Sequence, residues 1–140
     1  MLYSKQLLHS DELPFFKCGN EQIILSVEGI KVAPAICYES LQYKHIRKVS
    51  KFGADIYLAS VAKSQRGIEK AFKHYPKVAQ DFSMHVLMAN SIGYCDNFES
   101  AGQSSIWNDK GNLLVSMNET DEGLLIFDTK NQGIWKVLFT

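Results

Sequence analysis

The middle of this chain switches repeatedly between strand-like and helix-like periodicity, and that alternation constrains its fold more than any other feature. Lys31 to Cys37 is an apolar run of strand character. Leu41 to Phe52 follows, with apolar residues at 41, 46, 49 and 52, close to helical spacing, and it stops at Gly53. Asp55 to Val61 reads as a buried strand. Glu69 to Met84 is the longest helical pattern, and Ala71, Phe72, Tyr75, Val78, Ala79 and Phe82 can line one face of it. Pro76 inside that pattern marks a kink or a late helix start. Val86 to Ala89 is another buried strand.

The flanks add hairpins. Gln22 to Val27 joins the Lys31–Cys37 strand at Glu28-Gly29, and Gly102 to Trp107 joins Leu113 to Met117 through Asn108-Asp109-Lys110-Gly111-Asn112. Leu124 to Asp128 is a further strand. Residues 1–8 read as a short strand running into a loop, and residues 9–20, with Pro14, Gly19 and Asn20, continue that loop. Strands alternating with helices, then a run of hairpins, predict an α/β fold with one mixed β-sheet.

Composition narrows the function classes. The 140 residues suffice for a single domain with one core, and 46% apolar with 21% charged residues is ordinary for a globular protein. Fifteen basic residues balance fifteen acidic ones, so no face is announced for nucleic acid or a membrane surface. The basic cluster Lys44-His45-Ile46-Arg47-Lys48 with Lys51 reads as a solvated helix face. Cys18, Cys37 and Cys95 are odd in number and widely spaced, which argues against a zinc site and a closed disulfide framework and makes the cytoplasm the default location. No apolar stretch reaches the roughly 18–20 residues of a transmembrane helix. No Walker loop, GxGxxG or HExxH motif is present, and nothing calls for a cofactor or a metal.

The chemistry concentrates at Ala35-Ile36-Cys37-Tyr38-Glu39-Ser40-Leu41. A strand that stops at a cysteine, with a helical pattern next, can present a thiolate to unpaired backbone N–H groups that lower its pKa. The competing reading of such a cysteine is a small buried hydrophobe. Lys5, if it reaches the same pocket, can stabilise both a thiolate and an oxyanion. His9, His45, His74 and His85 share no pattern with Cys37 and read as surface or satisfied core groups. Ser64-Gln65-Arg66-Gly67, beyond the Asp55–Val61 strand, reads as a substrate-side loop, because ligands in α/β sheets sit beyond the C-terminal strand ends.

Several segments in order resemble the carbon–nitrogen hydrolase (nitrilase/amidase) superfamily. Tyr3, Lys5 and Leu8 resemble its Tyr-x-Lys-x-x-Leu segment, with Glu12 as the following acid. Ile36-Cys37-Tyr38-Glu39 resembles its nucleophile motif, and Gly53-Ala54-Asp55-Ile56-Tyr57-Leu58 its "GAD" strand. Ala89-Asn90-Ser91-Ile92-Gly93 and Gly102-Gln103-Ser104-Ser105-Ile106 with Asp109-Lys110-Gly111 resemble its later segments. The resemblance covers about residues 3–128 and corresponds to the C-terminal half of the family's four-layer αββα sandwich, so residues 1–140 are read as one partial domain.

The resemblance implies hydrolysis of amide or nitrile carbon–nitrogen bonds other than peptide bonds, through a cysteine thioester and with no cofactor. It gives Cys37 the nucleophile role and Lys5 the oxyanion role, and makes Glu12 a second acid that positions substrate or protons. Tyr38 and Glu39 beside the nucleophile, with Ser64, are the candidate substrate contacts. The family's general-base glutamate has no counterpart here. Acid–base help is typically worth about 10²–10⁴-fold, so the chain alone is expected to be slow or inactive. It is expected to form a homo-oligomer or to bind a separate N-terminal-half chain. The alternatives are a catalytically dead remnant acting as an interaction module, and acyl transfer to an amine. The identity of the small-molecule substrate is not legible.

Overall fold

The computed structural model describes residues 2–95 and 97–139; Met1, Asp96 and Thr140 lie outside the described residues. Its centre is a six-stranded sheet built from β1 (Leu25–Val27), β2 (Ile30–Ile36), β3 (Ile56–Val61), β4 (His85–Asn90), β7 (Ser105–Trp107) and β8 (Leu113–Ser116), adjacent in that order. The strands β2, β3 and β4 are parallel. Parallel neighbours need a crossover, and these are α1 (Tyr43–Lys51) and α2 (Gln65–Phe82). The outer pairs β1–β2, β4–β7 and β7–β8 are antiparallel. Two separate hairpins, β5 (Ile92–Cys95) with β6 (Phe98–Ala101) and β9 (Gly123–Phe127) with β10 (Ile134–Leu138), complete the described elements. The mixed α/β sheet expected from the sequence is the observed architecture.

Register explains which side chains form the core. Ala35 pairs with Ala59, and Ala59 with Met88; these residues share one face with Ala33, Tyr57 and Val86. That face packs against Ile46 and Val49 of α1 and Ile68, Ala71, Tyr75, Val78 and Ala79 of α2 in a single buried cluster. The small residues of β2 and β3 let the helices approach closely. The large ones, Tyr75 and Trp107, meet with ring centroids 5.6 Å apart.

The opposite face carries Pro34, Leu58, Ser60, Leu87 and Ala89. No helix covers it, and Leu58 is 37% exposed. The β9–β10 hairpin reaches only part of it, where His85 and Phe127 stack with centroids 4.9 Å apart. The buried strand expected over Asp55–Val61 is present as β3, but Leu58 and Ser60 are exposed. Both crossover helices contribute to one core cluster, so β3 alternates between buried and exposed residues over Leu58–Val61.

Other departures have local causes. No strand forms over residues 2–8, because this segment is held by side-chain bonds to Glu39 and not by a neighbouring strand. The helix around Pro76 neither starts late nor stops there. It runs from Gln65 to Phe82, so the expected loop Gln65-Arg66-Gly67 is its first turn, with Ser64 as N-cap. Pro34 is tolerated inside β2 because β1 ends opposite Val32, leaving no β1 ladder bond for the missing N–H to break.

The β7–β8 turn is fixed by Asn108, whose Oδ1 accepts the N–H groups of Lys110 and Asn112 at 3.1 and 2.9 Å. Gly111 sits there at φ +81°, and a Cβ on it would lie 2.5 Å from the Pro76 carbonyl oxygen of α2. Gly111→Ala is therefore expected to destabilise the protein by more than about 1 kcal/mol in urea unfolding, because both the left-handed backbone and the helix contact forbid a side chain.

Candidate active site

Cys37 lies where β2 ends. It is the first residue of a 3₁₀ turn over Cys37–Leu41 and has φ +47°, a left-handed conformation that costs a non-glycine residue of order 1–2 kcal/mol. Such a residue persists only when its surroundings over-determine it. Here the two neighbours in the turn do so. Ser40 Oγ donates to the Cys37 carbonyl at 2.6 Å and shares a 2.7 Å hydrogen bond with the buried Tyr75 hydroxyl. Glu39 is fully buried, and its Oε1 accepts the Ile36 N–H at 2.8 Å.

Glu39 also ties in the N-terminal segment. Its Oε1 accepts the Tyr3 hydroxyl at 2.6 Å, and Oε2 accepts the N–H groups of Gln6 and Leu7 at 2.6 and 3.1 Å. Behind it, Tyr3 contacts His45 Nε2 at 2.9 Å, and His45 Nδ1 contacts Tyr57 at 2.8 Å. With the Tyr3 hydroxyl donating to Glu39, the Tyr3 oxygen accepts from Nε2–H and the Tyr57 hydroxyl donates to Nδ1. Burial holds His45 below its ordinary value of 6.5, with Glu39 opposing. Burial and the Glu39 carboxylate push the Tyr3 hydroxyl well above its usual range.

This clasp positions Lys5. Its Nζ donates to both carboxylate oxygens of Glu12 at 2.6 Å. Glu12 is held in a turn in which its Oε2 also accepts the His9 N–H at 2.6 Å, and the Lys5 ammonium keeps its carboxyl below the usual carboxylate range. The His9 ring meets Tyr38 edge-on, with centroids 5.1 Å apart.

A cavity of about 530 Å³ collects these groups: Cys37, Lys5, Glu12, Tyr38 and Ser64 all line it. Glu39, read from sequence as a substrate contact, does not. Its carboxylate has both oxygens occupied, and it ties the N-terminal segment to the turn that carries Cys37. Lys63 also lines the cavity and was missed. The strand-end rule that singled out Ser64 applies equally to Lys63, its immediate neighbour beyond β3.

The reason given for an activated thiol needs correction. The 3₁₀ turn is a single short turn, and α1 begins only at Tyr43, so Cys37 does not cap the N-terminus of that helix. A helix dipole fades within its first turn. Among the described residues, the hydrogen-bond partner of the sulfur is the Ala62 carbonyl, 3.9 Å from Sγ. Among the described residues, no three His, Cys, Asp or Glu side chains cluster as a metal site, and no helix is long and apolar enough to cross a membrane.

Two outcomes test the clasp. Glu39→Ala orphans four donors, which is expected to cost about 3 kcal/mol or more in unfolding free energy and to accelerate hydrogen exchange at the Gln6 and Leu7 amides. The second concerns pH. His45 and His74 are both depressed by burial below 6.5. The unfolded chain therefore binds more protons just below that value, and stability falls as pH drops through about 6.5 toward 5. Urea midpoints at pH 7.5 and 5.5 read this directly, and a midpoint unchanged or higher at pH 5.5 contradicts the assignment.

The sequence model of the carbon–nitrogen hydrolases matches residues 3–134. No curated protein sequence matches significantly. Among solved structures, an amidase from Nesterenkonia sp. superposes with TM-score 0.76 at 19% identity, over 97% of this chain and 48% of its own. A glutamine-dependent NAD+ synthetase from Acinetobacter baumannii superposes with TM-score 0.84 at 17% identity, over 96% of this chain and 27% of its own. A mutant of the amidase from Nesterenkonia sp. AN1, with TM-score 0.75 at 20% identity over 83% of this chain and 46% of its own, shows the result of Michael addition of acrylamide at its active site cysteine. At these identities the likeness is one of fold, and the chain spans less than half the length of each structure. The family match covers nearly the whole sequence, and the chain belongs to the carbon–nitrogen hydrolase family.

Proposed function

We propose that Cys37 is the nucleophile of an amidase-type reaction on small amides or nitriles, with Lys5 as its oxyanion partner. The observation that carries this reading is the shared cavity. Lys5 and Glu12 from the N-terminal segment and Cys37 from the end of β2 line one space, and of the five described non-glycine residues at positive φ only Cys37 lines it. Strain kept at one residue by a dedicated network points to function.

In this reading the Cys37 thiolate attacks the amide carbon. An S–C bond forms and the carbonyl π pair moves to oxygen, where the Lys5 ammonium stabilises it. The intermediate collapses, the C–N bond breaks and the amine leaves with a proton. Water then attacks the thioester, releasing a carboxylic acid and restoring the thiol. Glu12 holds Lys5 in place and supplies a carboxylate at the cavity wall.

Proton transfer during acylation falls to a further carboxylate, carried by a second copy or a separate polypeptide. The uncovered face at Leu58 and Leu87 is the place for such a chain to pack. The same face supports a second reading, in which the chain is a non-catalytic interaction module.

A p-nitrophenyl ester of a short acid separates the two, because its leaving group departs without protonation. The expected result is a burst of about one p-nitrophenolate per chain and an acyl mass on the Cys37 peptide. Cys37→Ser should abolish the burst, and Lys5→Met should slow it about 10²–10³-fold. A burst that survives Cys37→Ser would discard the catalytic reading.

A further inference from the structure

Lys63 lies two residues beyond the end of β3 and is 6% exposed, while lining the same cavity as Cys37. Its backbone is locked: its N–H donates to Asn90 Oδ1 at 2.8 Å and its carbonyl accepts Asn90 Nδ2 at 3.2 Å and the Ala101 N–H at 2.9 Å. Its side-chain stem runs against Gly67 in the first turn of α2, where a Cβ would lie 3.0 Å from the Lys63 Cβ. The absence of a side chain at Gly67 therefore leaves room for the lysine beside the helix.

The charges on the cavity wall do not cancel. Lys5, Lys63 and Lys70 face it, against Asp11 and Glu12. Glu12 is taken by Lys5 at 2.6 Å, and Asp11 pairs with the His9 ring at 2.6 Å. Among the described residues, Lys63 Nζ has no hydrogen bond or acidic partner. A buried ammonium without a counter-charge is costly unless something supplies one. The N-terminal turn of the 18-residue helix α2 adds positive potential at the same wall.

We propose that Lys63 is an anion subsite that selects substrates whose acyl group carries a carboxylate, so that the amide or nitrile hydrolysed at Cys37 belongs to a second, negatively charged acid. This rests on Cys37 being the nucleophile. Ile36, Leu41 and Phe98 supply apolar wall for the carbon chain between the two functional groups. Burial lowers the Lys63 ammonium below its ordinary 10.5, with the nearby Cys37 opposing. A bound carboxylate would favour the charged form.

Iodoacetate and iodoacetamide test this without a substrate, since both form the same S–C bond and expel iodide but only one carries a charge. The rate ratio of iodoacetate to iodoacetamide at Cys37, read by peptide mass, is compared with that of N-acetylcysteinamide, an uncharged thiol. The expected ratio at Cys37 is about tenfold higher. It should collapse to the reference value in Lys63→Met, survive in Lys63→Arg, and change far less in Lys70→Met. A ratio equal to the reference in the unmodified protein overturns the subsite and leaves Cys37 as nucleophile. Equal slowing of both reagents by Lys63→Met also overturns it, because the lysine would then serve the thiolate. Absence of labelling at Cys37 by either reagent removes the nucleophile reading and the subsite together.

Discussion

A single buried carboxylate holds together the two segments that meet at the candidate site. Removing Glu39 from water costs several kcal/mol. Four donors offset that cost, two on each oxygen, and hydrogen bonds to a charged group are worth about 1.5–3 kcal/mol each. The donors come from three places: the end of β2, the backbone at residues 6 and 7, and the Tyr3 hydroxyl. Lys5 lies between the last two. The ammonium and the sulfur therefore share a cavity through a group that touches neither the cavity nor any ligand in it.

The rest of the site is arranged around strain and its restraint. The left-handed turn at Cys37 ends β2 at the cavity, and Ser40 fixes the Cys37 carbonyl with help from Tyr75 on α2. The longest helix is thus bonded, through Tyr75 and Ser40, to the Cys37 turn as well as packed on the sheet. Lys63 occupies the next strand end along, anchored by Asn90 of β4. Successive parallel strands each deliver one group to the same rim, as expected for a site at the C-terminal ends of a parallel sheet.

Sequence reasoning reached the parts governed by local periodicity and turn chemistry. The strands β2, β3 and β4, both helices, and the hairpins at Glu28-Gly29 and Asn108–Asn112 were legible because apolar spacing and turn residues act over a few positions. It misjudged groups whose partners lie far along the chain. Glu39 sits two residues from Cys37 and so resembled a substrate contact, yet its partners include Tyr3, Gln6 and Leu7, more than thirty positions away. Residues 2–8 looked like a strand because side-chain bonds to a distant acid leave no periodic trace. The one-sided cover of the sheet was invisible for the same reason: an apolar run in β3 does not reveal how many faces a helix will cover. Lys63 escaped notice because one lysine after a strand is unremarkable until its burial is known.

The clasp at Glu39 has a consequence for the order in which the molecule is made. Residues 3–7 leave the ribosome before their acceptor exists, and no hairpin or helix of their own can hold them meanwhile. Loop closure over some thirty residues carries an entropic cost that only long-range contacts repay. Lys5 can be placed only after β2 has ended, the turn has formed and α1 has brought His45 behind Tyr3. During synthesis Lys5 emerges before Glu39 and can be placed only after it.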